Sequence, residues 1–158
     1  MPFLSFFSAV LLCLFATTTF AGPITPREGW VIVETTKSYK QLITDVKSAA
    51  KAHGLGVVTQ AGPTVAAAKR GITIPGNRVI GLFNNDFAVQ VLATSTAAMI
   101  EAPVRVYVTE NQNGTATLSY KTPSYVFAPY TDEGGAALLD LARQLDLRFE
   151  ALAQQAAQ

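Results

Sequence analysis

The sequence holds few side chains that could carry reactive chemistry. Its 158 residues include one cysteine, Cys13, and one histidine, His53. A lone cysteine excludes a structural disulfide within the chain, and a lone histidine leaves no basis for a His-rich metal site. Charge is sparse as well. Asp, Glu, Lys and Arg make up 15% of the chain and the net charge is +1. That balance leaves no basic footprint for nucleic acid. There is no G-x-S-x-G elbow of the hydrolase kind, no glycine-rich phosphate loop, no internal repeat and no low-complexity tract. No cofactor and no metal are expected. What the chain does have is apolar material, 49% of its residues. That argues against disorder, and the length suits one domain.

Part of the apolar content is at the start. Phe3 to Phe20 carries no charged side chain and leads to Thr19-Phe20-Ala21, with small residues at the two positions a signal peptidase reads. Gly22-Pro23 follows, a poor continuation for a helix. Residues 1–21 therefore read as a secretory signal cleaved after Ala21, which places the remainder outside the cytoplasm, secreted or periplasmic. The n-region is short, with only the α-amino group as a positive charge, so the alternative is an uncleaved membrane anchor through residues 3–20. Contact with a membrane is expected only in that case. Residues 22–158 read as one α+β domain that depends on its core rather than on disulfides. Asn113-Gly114-Thr115 also fits a glycosylation sequon.

Local patterns give an element order. Trp30 to Thr36 is rich in β-branched residues and predicts a strand. Ser38 and Gln41 form a capping box for a helix that places Tyr39, Leu42, Ile43, Val46 and Ala50 on one face and ends at His53-Gly54. A strand over Leu55–Gln60 and a short helix over Thr64–Arg70, capped by Thr64, come next. Arg78 to Phe83 predicts a strand apolar enough for burial on both faces, and Asn84-Asn85-Asp86 starts a helix reaching about Ala93. Thr94 to Ala102 reads as loop with a turn of helix, tethered by Met99 and Ile100. Val104–Glu110 and Thr115–Lys121 both alternate, and Asn113-Gly114 between them predicts a two-residue hairpin turn with positive φ at both central positions. Pro123 to Tyr130 reads as an aromatic-rich connection. Asp132-Glu133 opens a long helix whose buried stripe is Leu138, Ala142, Leu145, Phe149 and Leu152. This order predicts an α+β fold, one mainly antiparallel sheet of about five strands with helices packed on one face.

Several of these segments are similar to a known family. Gly54-Leu55-Gly56-Val57-Val58, Arg78 to Asn84, Ala102 to Val108, and Gly114 followed by Leu118 to Pro123 resemble, in order, the motifs of the domain of unknown function 302 family. The resemblance covers most of the chain after residue 21. Asn85 stands where the family usually has proline, and Ala102 where leucine is common. The resemblance implies a compact α+β domain, often a dimer, with no established activity. A homodimer is expected on that ground.

Candidate sites are few, and each has a structural alternative. The N–H groups at Asn84, Asn85 and Asp86 could bind an anionic ligand, or the side chains cap the helix. Arg105 and Tyr107 should share the face opposite the valines of their strand and, with Lys121, could line a polar groove. The alternative is the ordinary solvent face of a half-buried sheet. Arg78 and Tyr120 are further strand candidates, Tyr120 facing the core. His53 is an acid/base by type but fits a helix end. Lys40, Lys47 and Lys51 form a helix stripe that either meets an acidic partner or is solvated. Trp30, Tyr125, Phe127 and Tyr130 could roof a pocket, form an interface, or pack in the core. The balance favours a small-ligand-binding or homodimeric assembly module. An enzyme with a scattered site such as Arg105, Tyr107 and Asp86 is the alternative.

Overall fold

The structure is a computed structural model and describes residues 22–158; the predicted signal segment and Cys13 lie outside the described residues. The element order is β1 (Trp30–Ser38), α1 (Tyr39–Ala52), β2 (Gly56–Ala61), α2 (Thr64–Ala68), β3 (Asn77–Phe83), α3 (Asn85–Thr94), a 3₁₀ turn (Ala97–Glu101), β4 (Val104–Glu110), β5 (Thr115–Lys121), α4 (Pro123–Phe127), a second 3₁₀ turn (Ala128–Tyr130) and α5 (Thr131–Ala157). The strands form one five-stranded sheet in the order β1-β5-β4-β3-β2. Every pairing is antiparallel. The fold is α+β, as the pattern of the sequence predicts. No helix among the described residues is long and apolar enough to cross a membrane.

The period of each strand decides what the sheet buries. Val104, Val106 and Val108 alternate with Arg105, Tyr107 and Thr109, so a single phase of β4 meets the helices. Ile80, Leu82, Ala116, Leu118 and Tyr120 join those valines, and Leu42 and Val46 of α1 with Leu138, Ala142, Leu145, Phe149 and Leu152 of α5 close over them. Burial pushes the Tyr120 phenol up to about 12, with the Glu150 and Asp146 carboxylates adding to the effect. Its ring packs on Phe149 with centroids 5.6 Å apart.

Several local expectations are corrected. Gly114 alone has positive φ in the hairpin, at +81°, and Asn113 does not. Gly114 N–H donates to Asn111 O and Asn111 N–H to Thr115 O, so a longer turn places only its last residue in the left-handed region. Asn113 Oδ1 instead accepts from the N–H and hydroxyl of Thr115. Gln41 N–H takes the Ser38 cap as expected, but the Gln41 side chain reaches forward to Asp45 rather than back. Thr64 is the first residue of α2 and not its cap; its hydroxyl faces Pro75 O and the Asn77 N–H at the start of β3. Pro123 to Phe127 is helix, because Thr122 Oγ1 accepts from Tyr125 N–H and Pro123 occupies the first helical position, where no N–H is needed. Ile100 is 78% exposed and tethers nothing, whereas Met99 packs on the core. In α5, Gly135 at φ +57° breaks the helical backbone, so Asp132 and Glu133 sit on a turn set off from the main rod.

One charged clip joins three elements. Lys37 at the end of β1 donates to Asp45 of α1 at 2.6 Å and to the carbonyl of Ala156 near the end of α5 at 2.9 Å. The hydrogen bond from Lys37 holds the Asp45 carboxyl below its usual range, against a smaller opposing effect of burial. A depressed carboxyl contributes stability above its unfolded pKa and loses it as pH falls through the folded value. The expected result is a fall in urea midpoint below about pH 4 that Asp45→Asn reduces, with about 1 kcal/mol at stake for a pair partly open to water.

Candidate functional site

Among the described residues, the main helices α1 and α5 cover one face of the sheet, leaving the other phase of each strand to form the opposite face. The register defines that face row by row. Trp30 pairs with Lys121, and Gly81 with Arg105. Val106 pairs with Tyr120, so the preceding Arg105 and the following Lys121 stand side by side on adjacent strands. In the next row Ile32 pairs with Ser119, Ser119 with Tyr107, and Tyr107 with Val79. A groove of about 250 Å³ lies here, lined among others by Trp30, Glu101, Arg105, Tyr107, Ser119 and Lys121.

Its electrostatics are uneven. Arg105 and Lys121 are exposed, and among the described residues neither makes an ion pair. Like charges opposite each other across a strand pair are unfavourable by a few tenths to about 1 kcal/mol. Lys121 Nζ lies 5.9 Å from the centre of the Trp30 ring and the Arg27 guanidinium 5.2 Å from it, so the indole gathers two cations. Glu101 is the one acid among the lining residues, and its Oε1 accepts the Tyr130 hydroxyl at 2.8 Å. That hydrogen bond pushes the Tyr130 phenol up, and burial pushes the Tyr107 phenol up.

Two close approaches shape the groove. Gly29, at φ +70°, has no room for a Cβ because the Tyr125 ring covers it, and this corner delivers Trp30 to the start of β1. Gly81 on β3 lets Pro103 pack directly on the sheet beside Glu101; an added Cβ would lie 2.7 Å from Pro103 Cγ and overlap the Thr59 hydroxyl.

Ser119 is the unusual residue. It is 0% exposed, yet its hydroxyl has no hydrogen-bond partner among the described residues. A buried polar group left unpaired costs about 1–3 kcal/mol. Ser119→Ala is therefore expected to leave stability unchanged or raise it by about 1 kcal/mol, read as a higher urea midpoint at constant m-value. A clear loss of stability would mean that the hydroxyl has a partner in solution.

The remaining candidates are placed elsewhere. Asn84 caps α3, its Oδ1 accepting from Phe87 N–H at 3.0 Å and its Nδ2 donating to Gly54 O at 2.8 Å. The capping alternative thus uses both ends of that side chain. Asn85 and Asp86 are exposed in the first turn of α3, which packs against α5 in the helix layer. Asp86 is therefore not brought together with Arg105 and Tyr107, which lie on the other face of the sheet. His53 ends α1, its Nε2 is 2.9 Å from Gln155 Oε1, and its carbonyl accepts from Arg148. Lys40, Lys47 and Lys51 are exposed along α1. Arg78 pairs with Val108 on β4 and shares the phase of Ile80 and Leu82, away from the groove. The aromatic cluster divides: Phe127 is core, Tyr125 covers Gly29, Tyr130 holds Glu101, and only Trp30 lines the groove. Among the described residues, no three His, Cys, Asp or Glu side chains are grouped to hold a metal ion.

Comparison with known proteins adds to this geometry. No curated protein matches the chain. Among solved structures, an uncharacterized conserved DUF302 protein from Bacillus stearothermophilus is similar, with a TM-score of 0.72 at 19% sequence identity, over 82% of this chain and 99% of that one. At that identity the likeness concerns the fold. The family profile described as Domain of unknown function DUF302 matches residues 31–155, from the second residue of β1 to near the end of α5. The chain belongs to the DUF302 family.

Proposed function

We propose that this DUF302 chain is a small-ligand-binding module, exported after cleavage behind Ala21 and assembled as a homodimer, with its ligand held on the face of the sheet opposite α1 and α5. The observation that carries the reading is the groove over β1, β5 and β4, where Arg105, Tyr107 and Lys121 meet Trp30 and the unpartnered hydroxyl of Ser119. Ligand sites are concave and largely apolar, with a few convergent polar groups that fix orientation, and this groove has that composition. Support for export comes from the small-residue pattern Thr19-Phe20-Ala21. Support for the dimer comes from the family resemblance.

Native mass spectrometry of the protein purified from its secreting host tests all three parts together. The expected result is a dimer of chains beginning at Gly22 and carrying extra mass. A chain retaining residues 1–21 would replace export with a membrane anchor. A bare monomer would remove the dimer, and absence of both retained mass and any groove response to added small molecules would end the ligand reading.

A further inference from the structure

We infer that the groove selects a small organic anion, a carboxylate carried on an apolar body such as a single aromatic ring. This inference rests on the ligand-binding reading above and adds to it the chemical class of the ligand.

Three independent features point the same way. The first is charge. Arg105 and Lys121 stand side by side, both exposed and neither paired to an acid among the described residues. A carboxylate between them converts a repulsive pair into two charge-assisted hydrogen bonds, the strong kind. The acid of the groove, Glu101, already accepts a hydrogen bond from Tyr130. A second carboxylate is repelled from that side and directed to the two cations.

The second feature is the floor. Ser119 is fully buried with its hydroxyl unpartnered, and it lines the groove between Ile32 and Tyr107. A hydroxyl can donate to a ligand oxygen as well as accept. This one is closed to water in the free protein, so an entering acceptor has to displace the neighbouring side chains that enclose it, and the cost of leaving it unpaired is then recovered. The third feature is the wall. Trp30, Val79 and Tyr107 present apolar surface beside the cations. About 250 Å³ is the share of roughly eight water molecules, room for one ring and a short acid arm. A cationic rim alone suits any anion; the apolar wall favours one with a hydrophobic body over bare phosphate.

The chain carries its own reporter, because Trp30 is its single tryptophan. In a ¹⁵N-labelled sample the indole N–H gives one signal, located in the groove. Four probes of contrasting chemistry are titrated against it: phenylacetate, phenylacetamide, phenethylamine and inorganic phosphate. The expected result is saturable movement of the indole signal with phenylacetate, and binding at least about tenfold weaker for the amide, the amine and phosphate. Arg105→Ala with Lys121→Ala should weaken phenylacetate by about tenfold or more while leaving the urea midpoint nearly unchanged, since both side chains are exposed. Ser119→Ala should weaken phenylacetate without loss of stability.

Equal binding of phenylacetate and phenylacetamide, unaffected by the double substitution, would overturn the anion assignment and leave the groove as a ligand site. Preference for phenethylamine would do the same with the opposite charge. Phosphate binding as tightly as phenylacetate would overturn the apolar body. No movement with any probe would overturn this inference and the groove reading together.

Discussion

Replacing Phe149 with alanine is expected to lower the stability of the fold by about 3–5 kcal/mol, the range for removing a buried aromatic ring. Phe149 is 1% exposed near the middle of α5, and its ring packs on Tyr120 at 5.6 Å. It therefore links the longest helix to the sheet. A cavity there is bounded by α5 on one side and β5 on the other, and a rigid rod cannot bend locally to fill it. Domains of this size have a net stability of about 5–15 kcal/mol, so the variant should lie near the threshold of folding. Urea denaturation followed by circular dichroism should show a much lower midpoint with a similar slope. Leu147→Ala is the control. It lies on the same helix but is 68% exposed, and its expected change is within about 0.5 kcal/mol. A Phe149→Ala midpoint no lower than that of Leu147→Ala would contradict the packing of α5 on the sheet.

The second large effect is expected at Gly29. Alanine there faces two separate penalties. The backbone has φ +70°, a region that costs an L-residue about 1–2 kcal/mol. The new methyl also overlaps the Tyr125 ring, and overpacking typically costs about 1–3 kcal/mol. The expected total is roughly 2–5 kcal/mol. The two parts separate in a double substitution: Gly29→Ala with Tyr125→Ala should recover the overlap and retain the φ penalty, a non-additivity expected of residues in contact. Because Gly29 immediately precedes Trp30, the indole signal should shift in Gly29→Ala and return toward its original position in the double variant. Strictly additive losses would mean that Tyr125 does not cover Gly29 in solution.

Much of the fold could be read from local pattern. The alternation of Val104, Val106 and Val108 reports a strand with one buried face, and the structure buries all three. The stripe from Leu138 to Leu152 reports a helix on a core, and each of its residues is buried. The same alternation placed Arg105 and Tyr107 together, opposite the valines. What local pattern cannot carry is which strands become neighbours. Trp30 and Lys121 meet because β1, an edge strand, pairs with β5, far along the chain. Ser119 was unreadable for a related reason. A serine on the outward phase of a strand looks solvated, and only its neighbours Ile32 and Tyr107, from two other strands, enclose it. Asn-Gly suits two hairpin geometries, and the length of this turn selects the one in which only Gly114 has positive φ. At α4, aromatic residues suggested a connection, and the local cap Thr122 with Pro123 outweighed them.

The strand order has a consequence for how the molecule comes into being. Within the sheet β1 has a single neighbour, β5, so residues 30–38 find their partner only when residues 115–121 exist. Much of the packing of α1 is likewise against α5, the last element of all. The first quarter of the fold must therefore wait for the last third to be synthesised. Contacts so distant along the chain slow folding, because a long loop has to close before they contribute. Between those two moments β2, β3 and β4 can pair while the leading strand stays unpaired, so a nascent chain interrupted before Thr115 has neither the completed sheet nor the α5 cover to protect it from proteases.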